Sequence, residues 1–315
     1  MAAALETGTN DLLGRIEDRV AVLTFNRPDR RNALSQEMYD GFNTALQAIE
    51  TDDAVRVVMV TGAGGAFCAG GDVKAMNQSH MSGEGQRATM SDDDRVVDLQ
   101  RRQREVSLAL HNFPKPVVAA LPGAAAGAGM SIALAADLRV AAPKALLVTA
   151  FANVGASGDF GGSWFMNRLV GEAKAKELYF RSPRLTAAQA YELGLVNAVL
   201  HDDDFEAAAL RWCADIADQA PIAIARMKEN LNRASDVDLA TALDAEATNM
   251  IFTMATADHR EAAAAFVEKR TPIFKGEYWL RPAGLPRWAW VSTFMGAITP
   301  RQRAGQCPMR CDTAA

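Results

Sequence analysis

Apolar and polar positions alternate in the first part of the chain and change to a helical period later on. Residues 12–25 alternate and then run apolar, with Glu17 and Asp18 between the two halves, and this pattern predicts a β-hairpin. Apolar side chains recur at helical spacing over 36–50, which predicts an amphipathic helix. The apolar run at 55–62 ends at a glycine and predicts a buried strand.

The middle and the end of the chain predict further strands and then mainly helices. Residues 77–93 lack any period and predict a surface loop, and a helix is expected to follow at about 94–112. A second buried strand is predicted at 115–123, before a glycine- and alanine-rich helix and two short strands. From about 163 to 270 the spacing is helical. This order predicts an α/β fold with a sheet core and a helical C-terminal extension.

The chain is accordingly divided into a core (1–200), a helical region (201–276) and a tail (277–315). The tail holds three of the five tryptophans and five arginines against two acids, and it shows neither a helical nor a strand period. It is interpreted either as a disordered extension or as an arm that packs on a neighbouring subunit.

Composition narrows the class of protein. A hydrophobic content of 49% and a charged content of 23% over 315 residues are typical of a globular protein. The net charge of −5 argues against nucleic acid as a main partner, because phosphate binding needs a basic face. The apolar stretch 116–136 is broken by Pro122 and several glycines, which favours a buried strand and helix over a membrane span.

The four cysteines predict neither a disulfide framework nor a zinc site. They are scattered, and no histidine lies close to Cys307 and Cys311 in the sequence. The first fifteen residues lack the basic and apolar segments of a secretory signal. We therefore expect a cytoplasmic, metal-free protein.

One glycine-rich turn has some features of a nucleotide site but fails the spacing. A dinucleotide-binding loop needs glycines at its first, third and sixth positions. Counting from Gly62, the third position is Gly64 but the sixth is Phe67. The nucleotide interpretation is rejected.

Two other small-residue turns, 66–76 and 123–137, favour a different site. Each turn follows an apolar strand, so its backbone N–H groups can face outward. Two such groups from different loops, one of them at a helix N-terminus, would form an oxyanion hole. Small residues leave room for the substrate oxygen. Tight packing between strand and helix would explain either turn alone.

Five successive motifs then resemble the crotonase superfamily, the enoyl-CoA hydratase/isomerase family. In chain order they are "NRPDRRNALS", "AFCAGGD", "KPVVAALPGAAAGAGMSIALAADLRVA", "GGSWFMNRLVGEAKAKELYF" and "LTAAQAYELGLVNAVL". The resemblance is collinear from about 12 to 276, and the tail has no counterpart in it.

The resemblance implies a spiral of ββα turns for the core and a trimerisation role for the helical region. It also implies a homotrimer or a dimer of trimers. The implied substrates are acyl-CoA thioesters, as in fatty-acid degradation, with coenzyme A as part of the substrate and no other cofactor.

By motif, the resemblance assigns the oxyanion hole to the backbone N–H groups of Gly71 and Ala128. Residues expected to bind the coenzyme A part lie in two regions. The CoA channel would be lined from the first two motifs, by Arg27, Ala33, Ala69 and Asp72. The head group would be reached from the end of the helical region, by Lys269, Phe274 and Lys275.

The two acids of family hydratases are absent. Hydration needs a pair of glutamates, because water must be activated while a proton reaches the α-carbon. The motif positions of these glutamates hold Ser131 and Phe151 here. The resemblance therefore disfavours efficient hydration.

Asp159, in "VGASGDFGGSW", is the candidate base. It lies where family isomerases resemble this chain in having a "VPDSGG"-like turn. An isomerase needs one base and an oxyanion hole, because the same base can remove a proton and return it elsewhere. Phe151, Phe160 and Trp164 are expected to form an apolar wall that raises the pKa of Asp159.

Other interpretations of Asp159 stay open. It could be an Asx-turn residue without a catalytic role. It could be a nucleophile, as in family dehalogenases, although these would have Trp in place of Phe151 and a helix histidine near Arg104. The protein could also be a hydratase that depends on Asp159, or a catalytically silent oligomer that binds CoA esters.

Overall fold

A computed structural model of the protein describes residues 2–72 and 90–278. The described residues up to Glu277 belong to one compact unit. Most of the surface loop predicted at 77–93 lies outside the described residues, and so does the predicted tail beyond Tyr278.

The α/β prediction is confirmed by a seven-stranded sheet with the strand order β1-β2-β3-β4-β5-β7-β10. The first three strands pair antiparallel and the others pair in parallel. A three-stranded sheet, β6-β8-β9, lies apart from it in the hydrogen-bonding pattern. The strands are β1 (Ala3–Leu5), β2 (Leu12–Glu17), β3 (Val20–Phe25), β4 (Val57–Gly62), β5 (Val117–Leu121), β6 (Ala125–Ala126), β7 (Leu138–Ala141), β8 (Leu146–Val148), β9 (Leu185–Thr186) and β10 (Ala198–Val199).

Helices cover the sheet and form most of the second half of the chain. In chain order they are α1 (Gln36–Glu50), α2 (Asp92–Gln103), α3 (Ala109–Asn112), α4 (Ala128–Ala135), α5 (Gly162–Val170), α6 (Glu172–Arg181), α7 (Ala187–Glu192), α8 (Phe205–Ala217), α9 (Pro221–Ala234), α10 (Leu239–Met254) and α11 (Ala257–Glu268). None of the helices described is both long and apolar enough to span a membrane.

The predicted hairpin and the first predicted helix are confirmed. Strands β2 and β3 form the hairpin, and helix α1 covers the predicted residues. The Ser35 side chain caps α1 by accepting the Met38 N–H. Strand β4 is buried on both faces, as a continuous apolar run in a parallel sheet requires.

Three details differ from the prediction. The helix expected at about 94–112 begins at Asp92 and contains a π-helical segment, Arg104–Leu108. Strand β1 was not predicted, because its three residues are too few to show a period. The region predicted as helical contains strands β9 and β10. Each has only two residues and pairs with a strand from an earlier part of the chain, β8 and β7 respectively.

Asn32 joins two loops at the carboxyl end of the parallel strands. Its side chain is fully buried. The Oδ1 atom accepts the Arg27 N–H at 2.9 Å, and the Nδ2 atom donates to the carbonyls of Ala63 and Ala66 at 2.9 Å each. Three hydrogen bonds thus hold the segment after β3 against the segment after β4.

Replacing Asn32 tests this junction. We expect Asn32→Ala to lower the free energy of unfolding by about 2–3 kcal/mol, because it leaves two carbonyls and one N–H unpaired. Urea denaturation measures the change. The exposed Asn43→Ala on α1 is the control, and an equal effect of both substitutions would contradict the assigned role of Asn32.

Candidate active site

The loop after β4 and the turn before α4 approach each other too closely for side chains. A Cβ atom on Gly70 would lie 2.7 Å from the Ala126 carbonyl oxygen and 3.0 Å from the Ala128 nitrogen. A Cβ on Gly129 would lie 2.3 Å from the Cys68 carbonyl oxygen. Both positions therefore require glycine, and main chain packs directly against main chain.

This approach brings together the two predicted oxyanion donors. Gly71 follows Gly70 directly, and Ala128 is the first residue of α4. The first N–H groups of a helix have no partner within the helix and carry its positive dipole end. Within residues 2–72 and 90–278, neither the Gly71 nor the Ala128 N–H donates to an acceptor. Both N–H groups are therefore unpaired within the described residues, as the predicted oxyanion hole requires.

Asp159 lies in the turn that leads into α5. Its Oδ1 atom is buried and has no hydrogen-bond partner among the described residues. Burial raises the pKa of this carboxyl to about 6. A carboxylate that burial disfavours and no donor stabilises is a proton acceptor, which suits the predicted base.

The turn around Asp159 is held by a side chain from another helix. The residue after it, Phe160, has a positive φ of 51°, which is strained for a side chain of this size. The Phe160 N–H donates to the Gln103 Oε1 atom at 2.8 Å. Gln103, the last residue of α2, therefore fixes the main chain next to the candidate base.

The positions of the missing hydratase acids are buried and face a tyrosine. Ser131 lies on α4, and the Phe151 ring stacks on the Tyr179 ring with their centroids 6.0 Å apart. The Ser131 Oγ and Tyr179 Oη atoms both lie near Gly162, where a Cβ atom would be 2.3 and 2.5 Å from them. The space around these two positions thus holds hydroxyl groups and aromatic rings instead of a second carboxylate.

Two of the three residues of the expected apolar wall lie near the turn. Phe151 and Phe160 are both buried, and Phe160 stacks on Tyr39 at 5.9 Å. The Trp164 ring packs against Phe165 and lies beneath the Arg168 guanidinium. Trp164 instead lines a separate cavity of about 670 Å³, in which Asp159 takes no part.

The residues expected to line the CoA channel from the first motifs form a charged cluster. Arg27 lies 3.8 Å and Arg30 lies 3.7 Å from the Asp72 carboxylate. Arg27 also donates to the Ala33 carbonyl at 2.7 Å, and the Ala69 N–H donates to the Arg31 carbonyl at 3.0 Å. These contacts hold both loops beside the Gly71 N–H.

The residues expected at the head group follow helix α11. Their main-chain hydrogen bonds go to Asp258 and Arg56, which do not belong to the charged cluster. The Asp258 carboxylate is buried and accepts the N–H groups of Lys275 and Gly276 at 2.7 and 2.8 Å. The Phe274 carbonyl accepts from Arg56 at 2.7 Å. Lys269 ends α11 with a positive φ, and its side chain is exposed.

Sequence reasoning missed Gln103 and Tyr179. Tyr179 lies in the motif "AKAKELYF", where an aromatic residue at helical spacing is typical of a core position. Gln103 lies far from Asp159 in sequence and belongs to none of the motifs. Only the folded chain brings these side chains to the turn.

Among the described residues, the arrangement suits proton transfer, and the nearby cysteine is a poor nucleophile. Burial raises the pKa of the Cys68 thiol to about 12, which keeps it protonated and unreactive. Within the described ranges, no cluster of three or more His, Cys, Asp or Glu side chains could hold a metal ion. The described part of the site combines the buried Asp159 carboxylate with two backbone N–H groups that have no acceptor within these ranges.

Comparisons with known proteins agree on one family. The sequence model of the enoyl-CoA hydratase/isomerase family matches residues 15–277. The chain is 34% identical over 266 residues to the 1,2-epoxyphenylacetyl-CoA isomerase of Escherichia coli K12, covering 84% of this chain and 98% of that one. It is 33% identical over 264 residues to the short-chain-enoyl-CoA hydratase of Clostridium acetobutylicum, covering 83% and 96%.

Solved structures show the same relationship. The crystal structure of an enoyl-CoA hydratase from Polaromonas sp. JS666 matches with a TM-score of 0.77 and 35% identity, covering 84% of this chain and 99% of that one.

The raised pKa of Asp159 predicts a stabilising substitution. The pKa of an aspartate is about 3.9 in the unfolded chain, and that of Asp159 is about 6 in the folded chain. Because the unfolded chain ionises this group more easily, the free energy of unfolding falls as the pH rises from 4 to above 6. We expect Asp159→Asn to raise the free energy of unfolding by about 1–2 kcal/mol at pH 8, after allowing for partial exposure, and by little at pH 4.

Urea denaturation at both pH values measures this difference. The exposed Asp203→Asn serves as the control and should change neither value. An Asp159→Asn variant that is less stable than the parent at pH 8 would show that the carboxylate has a stabilising partner.

Proposed function

The chain belongs to the enoyl-CoA hydratase/isomerase family, and within this family we propose that it is an acyl-CoA isomerase. It shifts a double bond, or rearranges a related ring thioester, through an enolate bound in the oxyanion hole, with Asp159 as the base. The observation that carries the proposal is the buried Asp159 Oδ1 atom without a partner among the described residues, together with the absence of carboxyl groups at the two hydratase positions.

The reaction on a 3-enoyl thioester needs only one proton carrier. The Asp159 carboxylate removes a proton from C2, and the electron pair of the C–H bond moves into the thioester to form a dienolate. The N–H groups of Gly71 and Ala128 donate to the enolate oxygen. The protonated Asp159 then delivers its proton to C4, and the dienolate becomes the conjugated 2-enoyl thioester.

The environment of Asp159 suits both halves of this shuttle. A pKa of about 6 leaves the group mostly ionised at neutral pH, so it can accept a proton, and makes its protonated form a usable acid. Each oxyanion donor supplies about 3 kcal/mol of barrier reduction. Gln103 holds the turn, so the carboxylate keeps its position during both transfers.

Hydration is the alternative reaction, and the side chains at the two motif positions argue against it. Ser131 and Phe151 carry no carboxyl group, and a serine hydroxyl is too weak a base to activate water alone. The 1,2-epoxyphenylacetyl-CoA isomerase relative supports isomerisation, whereas the short-chain-enoyl-CoA hydratase relative supports the alternative. The absence of both acids favours isomerisation and supports the proposal.

Binding of the coenzyme A part is assigned to the residues around the oxyanion hole. Arg27, with Ala33, Ala69 and Asp72, is proposed to line the channel, since these residues flank Gly71. Lys269, Phe274 and Lys275 are proposed to reach the head group, two of them with exposed cations. Coenzyme A enters as part of the substrate, and no further cofactor takes part in the proposed steps.

The helical region is proposed to assemble the chain into a trimer or a dimer of trimers. Large apolar side chains are exposed on its helices, among them Phe266 at 85% and Ile251 at 62% exposure. Burying such side chains against a second copy is favourable, because isolated chains rarely expose so many of them together.

Turnover of matched substrates tests the isomerase proposal. We expect trans-3-hexenoyl-CoA to be converted into a product of equal mass with a conjugated thioester absorbance. Asp159→Asn should lower kcat by about 10²–10⁴-fold, because a general base is lost. Activity should fall as the pH drops through about 6, where the carboxylate becomes protonated.

The Asp203→Asn variant is the control and should keep the parent activity. A product of trans-2-hexenoyl-CoA that is heavier by one water, formed faster than the isomer, would identify a hydratase. Binding of both esters without any turnover would identify a silent CoA-ester-binding oligomer.

Sedimentation tests the assembly. We expect the protein to sediment at three or six times the chain mass of 33.8 kDa. The double substitution Ile251→Glu and Phe266→Glu should shift it to the monomer, because charged side chains oppose burial at an interface. Val97→Glu, an equally exposed position on α2, is the control. A monomeric parent protein would contradict the proposal.

A further inference from the structure

A cavity apart from the candidate active site is lined by strand β7 and by helices α5, α8 and α9. Its volume of about 670 Å³ lies within the range of small-molecule sites. Asp159, Gly71 and Ala128 do not line it, and the isomerase steps above make no use of it. The cavity is therefore a candidate for a second binding site.

Apolar side chains predominate on the cavity wall. They include Trp164 and Phe165 from α5, Ile216 from α8, and Met227 and Leu231 from α9. Trp164, Met227 and Leu231 are 37%, 55% and 72% exposed. A ligand with an apolar body would remove this surface from water, which is favourable.

Arg139 on β7 is a buried cation without a carboxylate partner. It is 3% exposed, and its Nε and Nη1 atoms donate to the carbonyls of Leu195 and Ala136 at 2.7 and 2.8 Å. Within residues 2–72 and 90–278, Arg139 forms no ion pair, and its Nη2 atom forms no hydrogen bond. Burial lowers the pKa of the guanidinium to about 10, although the charge of Asp137 opposes this shift. A buried charge without an ion partner is costly, so an anion bound beside it would be stabilised.

The other cations on the cavity wall have carboxylate partners. The Lys228 Nζ atom lies 2.7 Å from the Asp137 Oδ2 atom. Arg168 lies over the Trp164 ring and donates to the Asp236 carboxylate at 2.9 Å. Among the described residues, Arg139 is thus left as the cation on the wall that no carboxylate pairs with.

Two further titratable side chains line the cavity without changing this balance. Asp215 is exposed on α8, so water screens its charge. Burial lowers the pKa of His111, although the charge of Asp137 opposes the shift, so this imidazole is neutral at physiological pH. The wall therefore carries one uncompensated positive charge, that of Arg139.

We propose that this cavity binds an amphipathic monocarboxylate, such as the anion of a medium-chain fatty acid. Its carboxylate pairs with Arg139, and its alkyl chain lies against the apolar side chains of α5, α8 and α9. A guanidinium suits this ligand because its planar donors match the two oxygens of a carboxylate. The site is additional to the proposed acyl-CoA isomerase site and does not depend on the reaction there.

Calorimetric titration with three ligands of equal chain length tests the proposal. The probes are decanoate, 1-decanol and decylammonium, and excess butyryl-CoA is present so that the candidate active site is occupied. We expect decanoate to bind about ten-fold more tightly than 1-decanol, which is the effect of one hydrogen bond to a charged group. Decylammonium should bind more weakly than 1-decanol, because Arg139 repels it.

Substitutions of Arg139 test whether this cation selects the carboxylate. Arg139→Gln should remove the preference for decanoate over 1-decanol, and Arg139→Lys should keep most of it, because the charge remains. Arg181→Gln, at an exposed position on α6 that does not line the cavity, is the control and should leave the preference unchanged.

A substitution at the exposed edge of the cavity keeps the test valid if the Arg139 variants fail to fold. Met227→Glu should weaken decanoate binding about three- to ten-fold through charge repulsion, and it should change the Kd of 1-decanol by less than about two-fold. Leu239→Glu, at an exposed position on α10 outside the cavity, is the control and should change neither Kd.

Three results would overturn the proposal. The first is equal binding of decanoate and 1-decanol by the parent protein. The second is a Kd of decanoate that Met227→Glu leaves unchanged. The third is the absence of decanoate binding, which is expected if a second copy of the chain covers the cavity.

Discussion

The contact of main chain with main chain between the Cys68–Gly71 loop and the start of α4 is the constraint on which the site depends. Two glycines allow this contact, because a methyl group on either would collide with a carbonyl oxygen of the other loop. The loop is fixed from one side by the Leu34 N–H, which donates to the Gly70 carbonyl at 2.9 Å. From the other side it pairs with β6 through Cys68 and Ala125. The backbone contacts thereby fix the positions of the Gly71 and Ala128 N–H groups.

The second requirement is a carboxylate that stays unpaired. A buried acid normally acquires a donor or an arginine partner, and either would lower its pKa. The buried Asp159 Oδ1 atom has neither among the described residues. The nearby Gln103 side chain does not donate to it and instead accepts the N–H of the next residue, Phe160. This division of tasks stabilises the turn without neutralising the base. The Gln103 side chain, at the end of α2, explains how the turn is held.

The sequence predicts the sheet core, the main helices and the turn of Asp159, because these depend on local periods and on motifs that are contiguous. It does not predict contacts between distant segments, such as Gln103 with Phe160 or Tyr179 with Ser131. Trp164 shows a different limit. Neighbouring residues on a helix point about 100° apart, and the motif alone does not tell which cavity Trp164 and Phe165 face. In the structure Phe165 is buried and Trp164 is partly exposed, and both line a cavity that Asp159 does not line.

The parallel pairing of β3, β4, β5 and β7 also has a consequence for how the chain folds. In the seven-stranded sheet, β2 and β3 are joined by a short turn. Each parallel pair of strands is separated in sequence by a helix or a long segment, which has to be synthesised before the two strands can pair. Pairing between distant segments slows folding, since loop closure precedes the favourable contacts. The site itself is completed only when Tyr179 joins residues that were synthesised much earlier. During synthesis the apolar edge of β4 stays exposed until β5 arrives, which makes the nascent chain prone to aggregation and dependent on early protection.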